Sequence, residues 1–107
     1  MAGERRRHPR RAAAWSASWI AARGAGAGEV CDVSEGGLGL RTSRGVRLPE
    51  PGDVLHLSVV IRPDVILTPV ALVANTHPEG RVGVAFSQVS SADAFILRQY
   101  AEGRGVP

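Results

Sequence analysis

From Trp15 to Phe86 the chain is dominated by period-two alternation. Trp15, Ala17 and Trp19 are separated by Ser16 and Ser18, which places both indoles on one face of an extended strand, as core residues, and the hydroxyls on the other. Val30 to Ser34 runs into Gly36-Gly37, where a missing Cβ permits backbone conformations closed to other residues, and Leu38 and Leu40 resume the alternation. Pro49-Glu50-Pro51-Gly52-Asp53 is a turn signal that feeds Val54 to Ile61, the strongest strand pattern in the sequence. Arg62-Pro63-Asp64 breaks it. Val65 to Ala74 follows, with Pro69 lacking an N–H for the ladder and predicting an edge or bulge. His77-Pro78-Glu79-Gly80 predicts a hairpin loop into Arg81 to Phe86, where Val82, Val84 and Phe86 share a face opposite Gly83 and Ala85. Gly24 to Gly28 is expected to be a flexible connection.

The period changes at Ser90. Ser90-Ser91-Ala92-Asp93 resembles a capping box, after which Ala92, Phe95, Ile96 and Tyr100 fall on one helical arc and Gly103 supplies a stop. The pattern predicts a mainly β domain, an antiparallel barrel or sandwich with one C-terminal helix over an open end. At 107 residues the chain suffices for one ordinary domain. The expected division is an Arg-rich arm over 1–11, the barrel with its helix over 12–102, and a tail over 103–107. Aromatics are only 5% of residues, so the core must rest on Val, Leu, Ile and Ala.

Charge changes the picture by its placement. All thirteen basic residues are Arg, and Arg5, Arg6, Arg7, Arg10 and Arg11 crowd the N-terminus, whereas residues 12–107 carry eight Arg against nine acids. An anionic partner is therefore expected to meet the arm and not the body. One cysteine, Cys31, excludes an internal disulfide and is expected to be a small packing residue within a strand. The apolar runs are too short and too interrupted for a membrane span or a secretory signal, and a soluble, cytoplasmic protein is expected.

Two segments carry candidate chemistry. Arg6 and Arg10 form an Arg-x-x-x-Arg pair in Glu4-Arg5-Arg6-Arg7-His8-Pro9-Arg10. Asp32-Val33-Ser34-Glu35-Gly36-Gly37 is an Asp-x-Ser-x-x-Gly pattern between two predicted strands. Guanidinium groups match phosphate oxygens and stack on purines. A carboxylate such as Asp32 accepts hydrogen bonds from the N1–H and amine of guanine, Ser34 adds a hydroxyl, and Gly37 is expected to let the backbone approach a ligand. The ligand these residues suit is anionic and rich in guanine.

These paired motifs, with Leu38-Gly39-Leu40, Gly83-Val84-Ala85-Phe86 and the terminal helix, resemble the PilZ domains over nearly the whole chain, from Glu4 to about Ala101. The resemblance implies a six-stranded barrel with a C-terminal helix and an arm that folds over cyclic di-GMP. It implies ligand contacts from Arg5, Arg6, Arg10, Asp32, Ser34, Gly36 and Gly37, and a downstream protein partner. Several family members place an aromatic platform near the positions of Ala74 and Asn75, where this sequence has neither ring nor stacking surface.

No nucleophile with a base stands out, and His8, His56 and His77 lie far apart without metal-ligand spacing, so neither an enzyme, a metal site nor a resident cofactor is expected. Gly24 to Gly28 precedes a strand and not a helix, unlike a phosphate loop. Two other readings stay open. The chain is an adaptor that binds protein without nucleotide, or the Arg run is a nucleic-acid arm, which predicts steeply salt-dependent binding that survives Asp32→Ala.

Overall fold

A computed structural model describes residues 10–43, 45 and 47–104. Seven strands precede one helix: β1 (Arg10–Ala21), β2 (Gly24–Ser34), β3 (Gly37–Thr42), β4 (Val54–Arg62), β5 (Val65–Leu67), β6 (Val70–Thr76), β7 (Arg81–Gln88) and α1 (Ser91–Ala101). All pairings are antiparallel, in the order β1-β2-β3-β7-β6-β4-β5, and β1 pairs again with β4 to close a six-stranded barrel with β5 as an extra strand. The expected barrel and terminal helix are what the chain forms.

Alternation explains the core. Ala17, Trp19, Val30, Val33, Leu38, Leu40, Leu55, Leu57, Val59, Val73, Val82 and Val84 point inward from successive strands, and Leu97 of α1 joins them at 1% exposure. Trp19 is buried, whereas Trp15 is half-buried with its ring 4.6 Å from that of Tyr100.

Two expectations need correction. Gly24 to Gly28 is not a loose connection but the first half of β2, paired residue by residue with β1 around a two-residue turn at Ala22-Arg23. Gly24 is at φ +138° where the hairpin turns, whereas Gly26 and Gly28 are called for by packing: a Cβ on Gly26 would lie 2.6 Å from the Trp19 indole and one on Gly28 would lie 2.1 Å from the Arg41 carbonyl, so the large ring on β1 covers the bare backbone opposite Gly26. The expected strand over Val65 to Ala74 is divided into β5 and β6. Both halves keep one register on β4 (Val59↔Leu67 and Val60↔Ile66, then Val54↔Leu72 and His56↔Val70), and the break falls at Thr68-Pro69. There Leu57 N–H still donates to the Pro69 carbonyl, while Thr68 N–H turns away to the Asp93 carboxylate at 2.9 Å.

That carboxylate also modifies the expected capping box. Asp93 N–H donates to Ser90 Oγ at 3.1 Å, as a cap requires, but the Asp93 side chain reaches the strand break instead of returning to Ser90. The helix start is thus pinned to the sheet. Its end is closed by Gly103, at φ +87°, with Gly103 N–H on the Tyr100 carbonyl and Arg104 N–H on that of Gln99.

Candidate functional site

The outer face of the barrel carries one lateral row of residues in register across five strands. Ala12 (β1) pairs with Asp32 (β2), Asp32 with Gly39 (β3), Gly39 with Gly83 (β7), and Gly83 with Asn75 (β6). The two glycines give the row a floor without side chains, flanked by the Asp32 carboxylate and the Asn75 carboxamide, with the Ala12 methyl beyond the carboxylate. A Cβ on Gly39 would lie 2.8 Å from Asp32 Oδ2, and one on Gly83 would lie 2.8 Å from Asn75 Oδ1. Both polar groups therefore lie over glycine backbone.

Strand alternation alone would not put them there. Val30 and Val33 are both inward, which a regular strand cannot accomplish three residues apart, and the pairing of β2 with β3 slips between Val30 and Asp32. The pairing of β6 with β7 slips in the same way between Val73 and Asn75. Each irregularity inserts one residue, Cys31 or Ala74, and turns the following polar side chain from the core to the outer face. Cys31 is accordingly not an interior packing residue, as expected, but a half-exposed one that lines the cleft.

Arg10, at the start of β1, is ion-paired through Nη2 with Asp32 Oδ1, so two residues 22 positions apart meet at one end of the row. The cleft above the glycines has a volume of about 300 Å³ and is also lined by Asn75, His77 and Arg81. Arg81 pairs in register with Arg41, which stands opposite Glu29 on its other side. Neither Arg41 nor Arg81 has an ion-pair partner among the described residues.

The remaining residues singled out in the sequence have different surroundings. Ser34 is buried at 5% exposure and its hydroxyl donates to the Gly37 carbonyl at 3.4 Å, closing the β2–β3 hairpin. Gly37 is buried beside β7, where a Cβ would collide with the Val84 carbonyl. Gly36 is exposed at the turn and its carbonyl accepts from Phe86 N–H at 2.9 Å. Neither Gly36 nor Gly37 adopts positive φ, so close packing and not an unusual dihedral explains the glycine at Gly37. Arg5 and Arg6 lie outside the described residues. Gly39, Gly83, Asn75, His77 and Arg81 line the cleft although neither sequence motif contains them. Gly83 and Gly39, at outward positions of otherwise well-filled strands, were the available signal.

Both segments also touch the helix. Arg11 lies 4.2 Å over the Tyr100 ring and donates to its carbonyl at 3.2 Å, the Tyr100 hydroxyl donates to the Ala12 carbonyl at 2.6 Å, and Arg98 pairs with Glu35 at 3.7 Å.

The model of the family described as PilZ domain matches residues 4–103. The chain belongs to the PilZ domain family. This PilZ domain is similar in fold to the cyclic di-GMP-bound PilZ domain of YcgR from Escherichia coli, at a TM-score of 0.76 and 16% identity over 92% of this chain and 90% of that one. It is similar to the Bacillus subtilis inhibitor of motility MotI (DgrA), at 0.75 and 18% over 92% of this chain, which spans half of the MotI chain. The PilZ domain of CeSA from a cellulose-synthesizing bacterium matches at 0.66 and 20%, over 88% and 95% of the two chains. Curated proteins compared by sequence return no match. Among the described residues of this PilZ domain, no helix is long and apolar enough to cross a membrane, and no group of three or more His, Cys, Asp or Glu is placed to hold a metal.

Proposed function

We propose that this PilZ domain is a receptor for cyclic di-GMP that binds the dinucleotide across the Asp32–Gly39–Gly83–Asn75 row and passes the event to a protein partner. The observation that carries the reading is the convergence of Arg10 and Asp32 at the edge of a side-chain-free floor. An isolated exposed Arg–Asp pair contributes little to stability, so its placement beside an open cleft is better explained by a ligand than by the fold. The ligand's guanine presents two donors to Asp32, and its phosphates take Arg10 together with Arg5 and Arg6 from the arm. Ser34, Gly36 and Gly37 contribute by shaping the hairpin that carries Asp32. The presence of cyclic di-GMP in the YcgR domain supports the same choice of ligand.

Binding is passively receptive: no step of catalysis is involved. Neutralising the arm draws it onto the barrel, and the contacts of Arg11 with Tyr100 and of Glu35 with Arg98 carry the change to α1. Equilibrium dialysis against labelled cyclic di-GMP, with excess GTP as competitor, tests the proposal. Arg10→Ala and Asp32→Ala are each expected to weaken binding by roughly ten- to a hundredfold, as charge-assisted hydrogen bonds are worth about 1.5–3 kcal/mol. Unchanged retention by both variants contradicts it.

A further inference from the structure

Resting on the cyclic di-GMP reading, we infer that Asn75 is a base-reading residue whose carboxamide donates to guanine O6 while Asp32 accepts from N1–H and the exocyclic amine. Asp32 lies over Gly39 and Asn75 over Gly83, and those two glycines are direct partners on adjacent strands. The carboxylate and the carboxamide therefore lean in from opposite sides over two glycines whose strands lie ~4.8 Å apart. One group only accepts hydrogen bonds. The other brings an N–H₂ donor.

The Watson–Crick edge of guanine runs amine donor, N1–H donor, O6 acceptor, which is the complement of that pair in order. Adenine presents its N1 lone pair to the carboxylate and is repelled. Two further observations favour a recognition role for Asn75. Its amide has no hydrogen-bond partner among the described residues, so no side-chain hydrogen bond ties it to the fold. It also reaches the outer face through the slip at Ala74, just as Asp32 does through the slip at Cys31. Two separate interruptions of the ladder that deliver two polar groups to one row point to a shared task.

Hydrogen bonding at this edge replaces the stacking that an aromatic side chain near Ala74 and Asn75 would offer, so the base is read and not merely covered. The glycines are part of the reading. A methyl on either would fill the space in which the polar groups lie.

Calorimetric titrations of the full chain and its Asn75→Ala and Asn75→Asp variants with cyclic di-GMP, cyclic di-IMP and cyclic di-AMP test the inference. Asn75→Ala is expected to weaken cyclic di-GMP and cyclic di-IMP equally, roughly fivefold for one neutral hydrogen bond, because both keep O6. Asn75→Asp sets a carboxylate against O6 and is expected to weaken both at least about tenfold. Wild-type melting temperatures are expected for both variants, and cyclic di-AMP binds the wild type more weakly than cyclic di-GMP. Wild-type affinity in Asn75→Asp overturns the inference and leaves the ligand assignment intact. Weakened binding with a lowered melting temperature in both variants assigns Asn75 to the fold and also overturns it. A wild-type chain that does not bind cyclic di-GMP overturns the ligand assignment and the inference with it.

Discussion

Gly37 and Gly39 are two residues apart on β3 and are glycine for different reasons. A Cβ at Gly37 points into the Val84 carbonyl, which is backbone and cannot step aside, whereas one at Gly39 meets only the end of the Asp32 side chain. Gly37→Ala is accordingly expected to lower stability by about 1–3 kcal/mol, the usual range for overpacking, as read from urea denaturation. Gly39→Ala should keep the wild-type midpoint and lose ligand affinity by displacing the carboxylate. A loss of stability in both, or in neither, would show that the two glycines share one role. Asp53 is a third residue whose surroundings set its behaviour. Glu50 N–H donates to its carboxylate at 2.9 Å and Arg23 pairs with it, and these partners hold its carboxyl below the ordinary range. A lowered folded-state pKa means that Asp53 stabilises the Pro49–Asp53 turn above the unfolded pKa and that this support is lost as pH falls through the folded one. Asp53→Asn should therefore flatten the acid limb of a denaturation-midpoint profile without changing its alkaline limb.

At the scale of elements, α1 is fixed at both ends by polar contacts that its apolar arc did not reveal. Thr68 N–H, released from the ladder next to Pro69, depends on Asp93, so Asp93→Ala is expected to cost on the order of 1 kcal/mol, measured by thermal denaturation. At the other end Trp15, Tyr100 and Arg11 form one cluster directly beside Arg10. Addition of cyclic di-GMP should therefore change the intrinsic tryptophan fluorescence, and Tyr100→Ala should remove most of that change while binding persists; a ligand-bound protein with unaltered emission would separate the helix from the site. The helix itself was legible because a 3.6-residue pattern and Ser90 are local signals. The docking of its ends was not, since it depends on where Pro69 interrupts a distant strand. For the same reason Gly24 to Gly28 reads as a loop: glycine is a poor strand former by itself, and the contacts that suit it here, the Trp19 ring over Gly26 and the Arg41 backbone beside Gly28, come from other strands.

For the whole molecule, period-two alternation and a single change of period contained the architecture, and the two motifs contained the position of Asp32 and Arg10. What they did not contain is the row that connects Asp32 to Asn75, because a row is a property of register across four strands, and here the one-residue slips at Cys31 and Ala74 turn its two polar side chains outward. The motif residues also divide by role: Asp32 faces the cleft, while Ser34 and Gly37 are buried in the hairpin that presents it. The charge of the sequence is divided likewise: five of its thirteen Arg fall within residues 1–11, among them the Arg10 that meets Asp32, and residues 12–107 are nearly balanced. A polyanion held by general attraction would be released steeply by salt and would ignore Asp32. A guanine dinucleotide held on the row would not. Calorimetric titration of the intact chain with cyclic di-GMP, repeated with Asp32→Ala, tests that distinction most directly. Saturable binding at micromolar concentration or below is expected in the wild type, and roughly ten- to a hundredfold weaker binding in the variant. No heat of binding at concentrations on the order of tens of micromolar, or equal binding by the two proteins, would contradict it.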